Sequence, residues 1–114
     1  MNVELTKFKV KKGKSQHVDE WLKFLNENMK DVLITLEDEK MFVETIFREK
    51  INGDEYLYWY SVQGEGGQKV EQSNHWIDKK HLEFWDECID ETFKPVYLKT
   101  EVVMIPEKIR KSMI

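Results

Sequence analysis

Two hydrophobic periodicities alternate along the chain, and their order defines an architecture. Over residues 3–10, Val3 and Leu5 share one strand phase and Phe8 and Val10 the other. The segment therefore carries a bulge near Lys7 or apolar contacts on both faces. Lys11-Lys12-Gly13-Lys14 reads as a solvated turn. From Ser15 the period becomes helical: Val18, Trp21, Leu22, Leu25, Met29, Val32, Leu33 and Leu36 mark one face of a single helix over 15–38. Ser15 is placed to cap it, with Asp19 and Glu20 near its positive end. Strands follow at 41–49 and 55–63, joined by Asn52-Gly53, the pair suited to a type I′ turn. Gly64-Glu65-Gly66-Gly67 breaks the pattern, and a second helix spans 73–89 with Ile77, His81, Phe84, Trp85 and Cys88 on one face. A last strand covers 96–105, Pro106 stops it, and 107–114 reads as a short arm or frayed helix.

The order β-α-β-β-α-β predicts an α+β, ferredoxin-like sheet in one domain over 1–114. Right-handed crossovers put the first and third strands in the middle and the second and fourth at the edges. Two helices cover one face of such a sheet, so the other must be polar or pack on something else. The hairpin fixes a register in which Phe47 opposes Tyr58, Thr45 opposes Tyr60, and Val43 opposes Val62 on one face. On the other, Ile46 opposes Trp59, Glu44 opposes Ser61, and Arg48 opposes Leu57. A mid-strand carboxylate beneath helices needs a partner to offset its desolvation. On that ground Glu44, Ile46, Arg48, Trp59 and Ser61, with Lys99 and Glu101 of the last strand, are expected on the face away from the helices. Large apolar groups there point to a second copy of the same sheet, hence a homodimer.

Composition narrows the function classes. The chain has 114 residues, 40% hydrophobic and 35% charged, and its four Trp, four Tyr and six Phe argue for a packed core rather than disorder. No apolar run approaches the roughly 18 residues of a membrane span. The first residues lack the apolar stretch of a signal peptide, so a cytoplasmic address is expected. A net charge of −4 argues against a nucleic-acid partner, which calls for a basic face. Cys88 stands alone, which excludes an internal disulfide and a cysteine-based zinc site, and its place on an apolar stripe suits a small buried hydrophobe.

Glu55-Tyr56-Leu57-Tyr58-Trp59-Tyr60-Ser61-Val62-Gln63-Gly64-Glu65-Gly66-Gly67 and His75-Trp76-Ile77-Asp78-Lys79-Lys80-His81 resemble stretches of a bacterial family of small uncharacterised proteins, a domain of unknown function. The likeness runs from Val3 to about Ile109 and implies no activity. More broadly, the element order and two-faced sheet resemble the dimeric α+β barrel superfamily, which includes sugar mutarotases, antibiotic-biosynthesis monooxygenases and haem-degrading enzymes. In length and layout the rhamnose mutarotase type is the nearest, on architecture and an aromatic-rich second helix rather than a shared catalytic signature.

Several residue groups are candidates for chemistry. Glu44 and Glu101 form a possible acid and base pair, since carboxylates in a water-poor site titrate near neutrality; salt bridges to Arg48 and Lys99 are the alternative. His81 has the ordinary pKa for proton transfer. His75, Asp78 and His81 stand at i, i+3 and i+6, but the two imidazoles diverge around a helix, so a metal site needs Glu44 or Glu101 as a further ligand. Otherwise His75 caps the helix and His81 is a hydrogen-bonded residue beside the apolar stripe. Trp59 and Trp76 are candidate ligand walls, and Arg48 and His75 candidate ligand-binding groups. The glycine loop lacks the Lys-Ser/Thr of a phosphate cradle, and Glu65 would repel phosphate, which leaves a flexible loop or pocket lid. No cofactor motif is present. These features lead to a homodimer that binds a small organic molecule in a cavity on the open sheet face, with cofactor-free acid–base chemistry such as sugar mutarotation. The alternatives are a non-catalytic dimeric binding module, and a haem-linked monooxygenase-like protein with His75 or His81 as ligand.

Overall fold

Asn52 and Gly53 both hold positive φ, 50° and 84°, as a type I′ turn demands. The turn joins β2 (Met41–Ile51) to β3 (Asp54–Gln63), and the pairing runs Ile51↔Asp54, Phe47↔Tyr58, Ile46↔Trp59 and Glu44↔Ser61, the register counted from the sequence. The computed structural model describes residues 1–114. Strand β1 (Asn2–Lys9) pairs antiparallel with β3 on one side and with β4 (Val96–Leu98) on the other, so the sheet order is β2-β3-β1-β4. This is the ferredoxin-like arrangement, with helices α1 (Ser15–Glu27), α2 (Met29–Asp38) and α3 (Trp76–Cys88) and a terminal turn of helix, α4 (Glu107–Arg110).

One alternative is decided and three local expectations change. The bulge lies in β2 between Met41 and Val43, while β1 pairs with β3 without a shift, so β1 is a strand with apolar groups on both faces. The long first helix breaks at Asn28, whose φ of −112° leaves the helical region and whose side-chain amide donates to the Phe24 carbonyl at 2.8 Å. Asparagine competes for backbone partners in this way, and here it separates α1 from α2. Ser15 begins α1 without capping it, because its Oγ and carbonyl accept from Arg48 instead. The last strand stops at Leu98 rather than Ile105. With Leu5 opposite Leu98, the segment beyond residue 101 has run past Asn2, the first residue of β1, and has no strand to pair with. The final contact of that kind is Thr100 Oγ1 donating to the Val3 carbonyl at 2.6 Å.

The assignment of the two sheet faces reverses. Leu57 is fully buried with Val18, Trp21 and Cys88, and Phe8, Ile46, Trp59 and Trp85 pack against that core. Leu57 and Trp59 share their face with Thr6, Phe8, Ile46, Arg48, Glu44 and Ser61. That face, charged residues included, lies beneath the helices. Leu5, Phe47, Tyr58 and Tyr60 line a shallow apolar groove of about 390 Å³ on the open side. The helices do not seal the sheet. Helix α2 stands off at the rim with Leu33 and Ile34 about half exposed, and Glu44 lines the space beneath. The desolvation that argued against Glu44 under the helices is therefore only partly incurred. No helix is long and apolar enough to cross a membrane.

Candidate functional site

The space between helices and sheet is a cleft of about 1090 Å³, reached by the inner face of the sheet, by α1, α2 and α3, and by the segment around Val70. Its floor is aromatic. Trp59 lies 5.6 Å from Trp21 and 5.4 Å from Trp85, centroid to centroid, and Phe8 meets Trp85 edge-on at 4.7 Å. Such contacts hold large flat side chains rigid, and rigid walls retain shape when a ligand leaves.

His81 projects from α3 onto this floor, 5.8 Å from the Trp59 ring. The fully buried Trp21 donates its indole N–H to His81 Nδ1 at 3.0 Å. An imidazole that accepts at Nδ1 carries its proton on Nε2, so His81 presents an N–H donor as its remaining polar atom. Burial lowers its pKa to about 4 against a smaller opposing effect of Asp78, and the ring is neutral at physiological pH. His81 is thus built to donate a hydrogen bond; it is too weak a base to hold a proton there.

Glu44 enters the cleft from β2. Burial raises its pKa, the Trp59 N–H pulls it partly back, and the charge of Asp78 adds to the rise. Its companion carboxylate is Glu39, at the end of α2, and not Glu101. Burial, then the charges of Glu44, Asp78, Glu71 and Asp38, raise Glu39 to about 7. Glu39 therefore gains and loses its proton near neutral pH, beside the Glu44 carboxyl.

The glycine loop sets Glu39 in place. Gly64 N–H donates to the Lys40 carbonyl at 2.7 Å, Gln68 N–H to Asp38 at 2.8 Å, and the Gln63 amide to the Glu39 carbonyl at 2.9 Å. A Cβ on Gly67 would overlap the Glu39 carbonyl, so the close approach requires glycine. The loop is a clamp on the α2–β2 turn, where Lys40 adopts a positive φ of 57°. The sequence offered this signal in the glycine run, yet nothing local tied it to Glu39.

The other candidates lie elsewhere. Glu101 is exposed beyond β4 and pairs with Lys99 at 3.4 Å. Arg48 is outside the cleft lining; it binds Glu55, Asp19 Oδ1 at 2.5 Å, and Ser15. His75 caps α3, its Nδ1 accepting the Ile77 N–H at 3.2 Å. Trp76 is half exposed and meets Phe24 edge-on at 5.9 Å. Of the seven residues singled out by sequence, Glu44, His81 and Trp59 share the cleft. Asp78 joins them, while His75 does not, and no three carboxylate, imidazole or thiol groups converge closely enough to hold a metal ion. Burial also raises the Cys88 thiol to about 11, which leaves it protonated and inert.

Comparison with known proteins agrees with this architecture. The chain is similar to the crystal structure of L-rhamnose mutarotase FA22100 from Formosa agariphila, with a TM-score of 0.54 and 21% identity over 93% of this chain and 99% of that one. At that identity the likeness concerns the fold, the ferredoxin-like α+β type. No curated protein matches. A family profile matches residues 1–111, and the chain belongs to that family of unknown function, DUF6176.

Proposed function

We propose that the chain binds a small organic molecule in the cleft between helices and sheet and moves a proton on it without a cofactor. The observation that carries this reading is the meeting of Glu44, Glu39 and the His81 N–H around one aromatic-floored cavity. General acid–base work needs a group near its pKa at the working pH together with a donor that fixes the substrate oxygen. Opening a cyclic hemiacetal is a step of that kind. One carboxylate takes the proton of the anomeric hydroxyl, the C1–O5 bond breaks as the carbonyl forms, and the protonated carboxyl supplies the ring oxygen with its proton. The His81 N–H would hold one of the two oxygens. The Formosa neighbour is named for a mutarotation, a reaction of this class.

The working form is proposed to be a homodimer. The groove of Leu5, Phe47, Tyr58 and Tyr60 lies on the face opposite the cleft, and sheets pack face to face through such surfaces. Val102, Met104 and Ile114 on the C-terminal arm are likewise exposed. Light scattering should give twice the chain mass, and Phe47→Lys should give the single mass.

The experiment for the cleft is a fragment screen by NMR that follows the Trp59 indole and His81 imidazole signals. Ligands should move both, and anomer exchange of a bound sugar should run faster than in buffer with wild type and not with Glu44→Gln. A screen in which no fragment moves either signal refutes the reading.

A further inference from the structure

Two oxygen-bearing side chains of the cleft are nearly enclosed and have no protein partner. Asp78 and Thr6 are each 6% exposed, and both line the cavity. The one fully enclosed side-chain nitrogen or oxygen lacking a partner is His17 Nδ1. The Asp78 carboxylate and Thr6 hydroxyl therefore keep an outlet, and the cavity is where it leads. Asp78 also stands close enough to Glu39 and Glu44 that the three repel one another. The lining as a whole carries seven acidic residues and one basic one, Lys69. Unpaired buried acceptors and like charges are costly, and they occur where function demands them.

We infer that the cleft recognises a small organic molecule that bears a protonated amine, received by Asp78 within the field of Glu44 and Glu39 and beside the aromatic wall of Trp59 and Trp85. An ammonium group has three donors and no acceptor, the complement of carboxylates and a hydroxyl oxygen. Trp faces attract cations through the ring quadrupole. The aromatic walls favour an organic cation over a bare metal ion, which requires an oxygen cage that these residues do not form. A neutral or anionic ligand would leave the carboxylates in mutual repulsion as water is displaced. The inference deepens the proposed function and rests on the cleft being a ligand site.

Two matched series of probes test it: benzylammonium, benzyl alcohol and benzoate, and glucosamine, glucose and glucuronate. Each is titrated into the full chain at neutral pH with the Trp59 indole NMR signal as readout. The ammonium member of at least one series should bind roughly tenfold or more tightly than its neutral counterpart, and the carboxylate members should not bind. Asp78→Asn and Glu44→Gln should each erase the preference; should Asp78→Asn fail to fold, Glu44→Gln carries the test. Neutral or anionic members binding as well as the ammonium, or a preference that survives in folded variants, overturns the inference and leaves the cleft reading intact. If no member of either series moves Trp59 at millimolar concentration, the cleft reading falls and the inference with it.

Discussion

Arg48→Met is expected to destabilise the fold while leaving the cleft chemistry untouched. The guanidinium binds three partners: Glu55, Asp19, and Ser15 through its Oγ and carbonyl at 3.0 Å each. The Glu55 side chain is 9% exposed, Asp19 62% and Arg48 25%. The Asp19 contact is a surface pair and contributes at most about 1 kcal/mol. Glu55 differs, since stripping the partner from a buried charge costs about 3–5 kcal/mol. Partial solvent access to Arg48 puts the total near the lower end, about 3 kcal/mol. Against a total stability of about 5–15 kcal/mol this is a large fraction. It corresponds to a fall in Tm of roughly 10 °C for a chain of this size. Urea unfolding followed by tryptophan fluorescence measures it, with Asp19→Asn as the exposed control. Glu55→Gln added to Arg48→Met should recover part of the loss, because the stranded charge is gone. A loss below about 1 kcal/mol for Arg48→Met, or strictly additive single and double variants, would refute the assignment of Arg48 to a structural pair.

Glu39→Gln should stabilise the protein at alkaline pH. The folded-state pKa of about 7 lies above the ordinary 4.5, so the charge opposes folding above pH 7, and that opposition fades as pH falls toward 4.5. The gain from Glu39→Gln, measured by urea unfolding, should therefore be largest at alkaline pH and vanish in the acid range; a gain independent of pH contradicts the cause given. His81 acts in the opposite sense: its pKa falls from 6.5 to about 4, and stability should drop as pH falls through that window, in wild type but not in His81→Gln. Gly53→Val forces a β-branched residue to a φ of 84° and should cost about 1–2 kcal/mol in thermal or urea unfolding. Gly67→Ala drives a methyl into the Glu39 carbonyl, and the shift it forces should cost about 1–3 kcal/mol and move the Glu39 titration seen by carboxyl NMR.

The fold was legible because its signals are local. Asn52-Gly53 specifies its own turn, and the turn alone sets the β2–β3 pairing. The stripes of Val18, Trp21 and Leu25 and of Ile77, Phe84 and Cys88 identify helices without knowledge of their neighbours. The site was only partly legible because it depends on how far apart packed elements stand. Residue type marks Glu44 and His81, but Glu39 sits at a helix end with no periodicity to mark it. Its raised pKa comes from Glu44 and Asp78, distant in sequence, and from burial. Arg48 shares its sheet face with Glu44, and that pattern alone suggests a ligand group or a partner for Glu44. The pairing is instead to Glu55, seven residues away, and to the start of α1.

The reversed sheet faces follow from one physical point. A charged residue beneath helices is excluded only when the helices close over it. Here Trp21 of α1 and Cys88 of α3 close over Leu57, and the charges beside it, Arg48 and Glu55, pair with each other, while Glu44 and Ser61 line the cleft. The gradient runs along β3 itself: Leu57 is sealed, Trp59 forms the floor, and Ser61 opens to the cleft. The two ends of the strand are linked, because Trp21, fixed in the core, also donates to His81 in the cavity lining. The core and the cleft are thus two ends of one interface. A substitution such as Trp21→Phe would act on both at once, removing packing volume and the N–H that sets the His81 tautomer. The opposite face, with Phe47, Tyr58 and Tyr60, shares none of these contacts, so the proposed association of two copies there would leave the cleft free to bind.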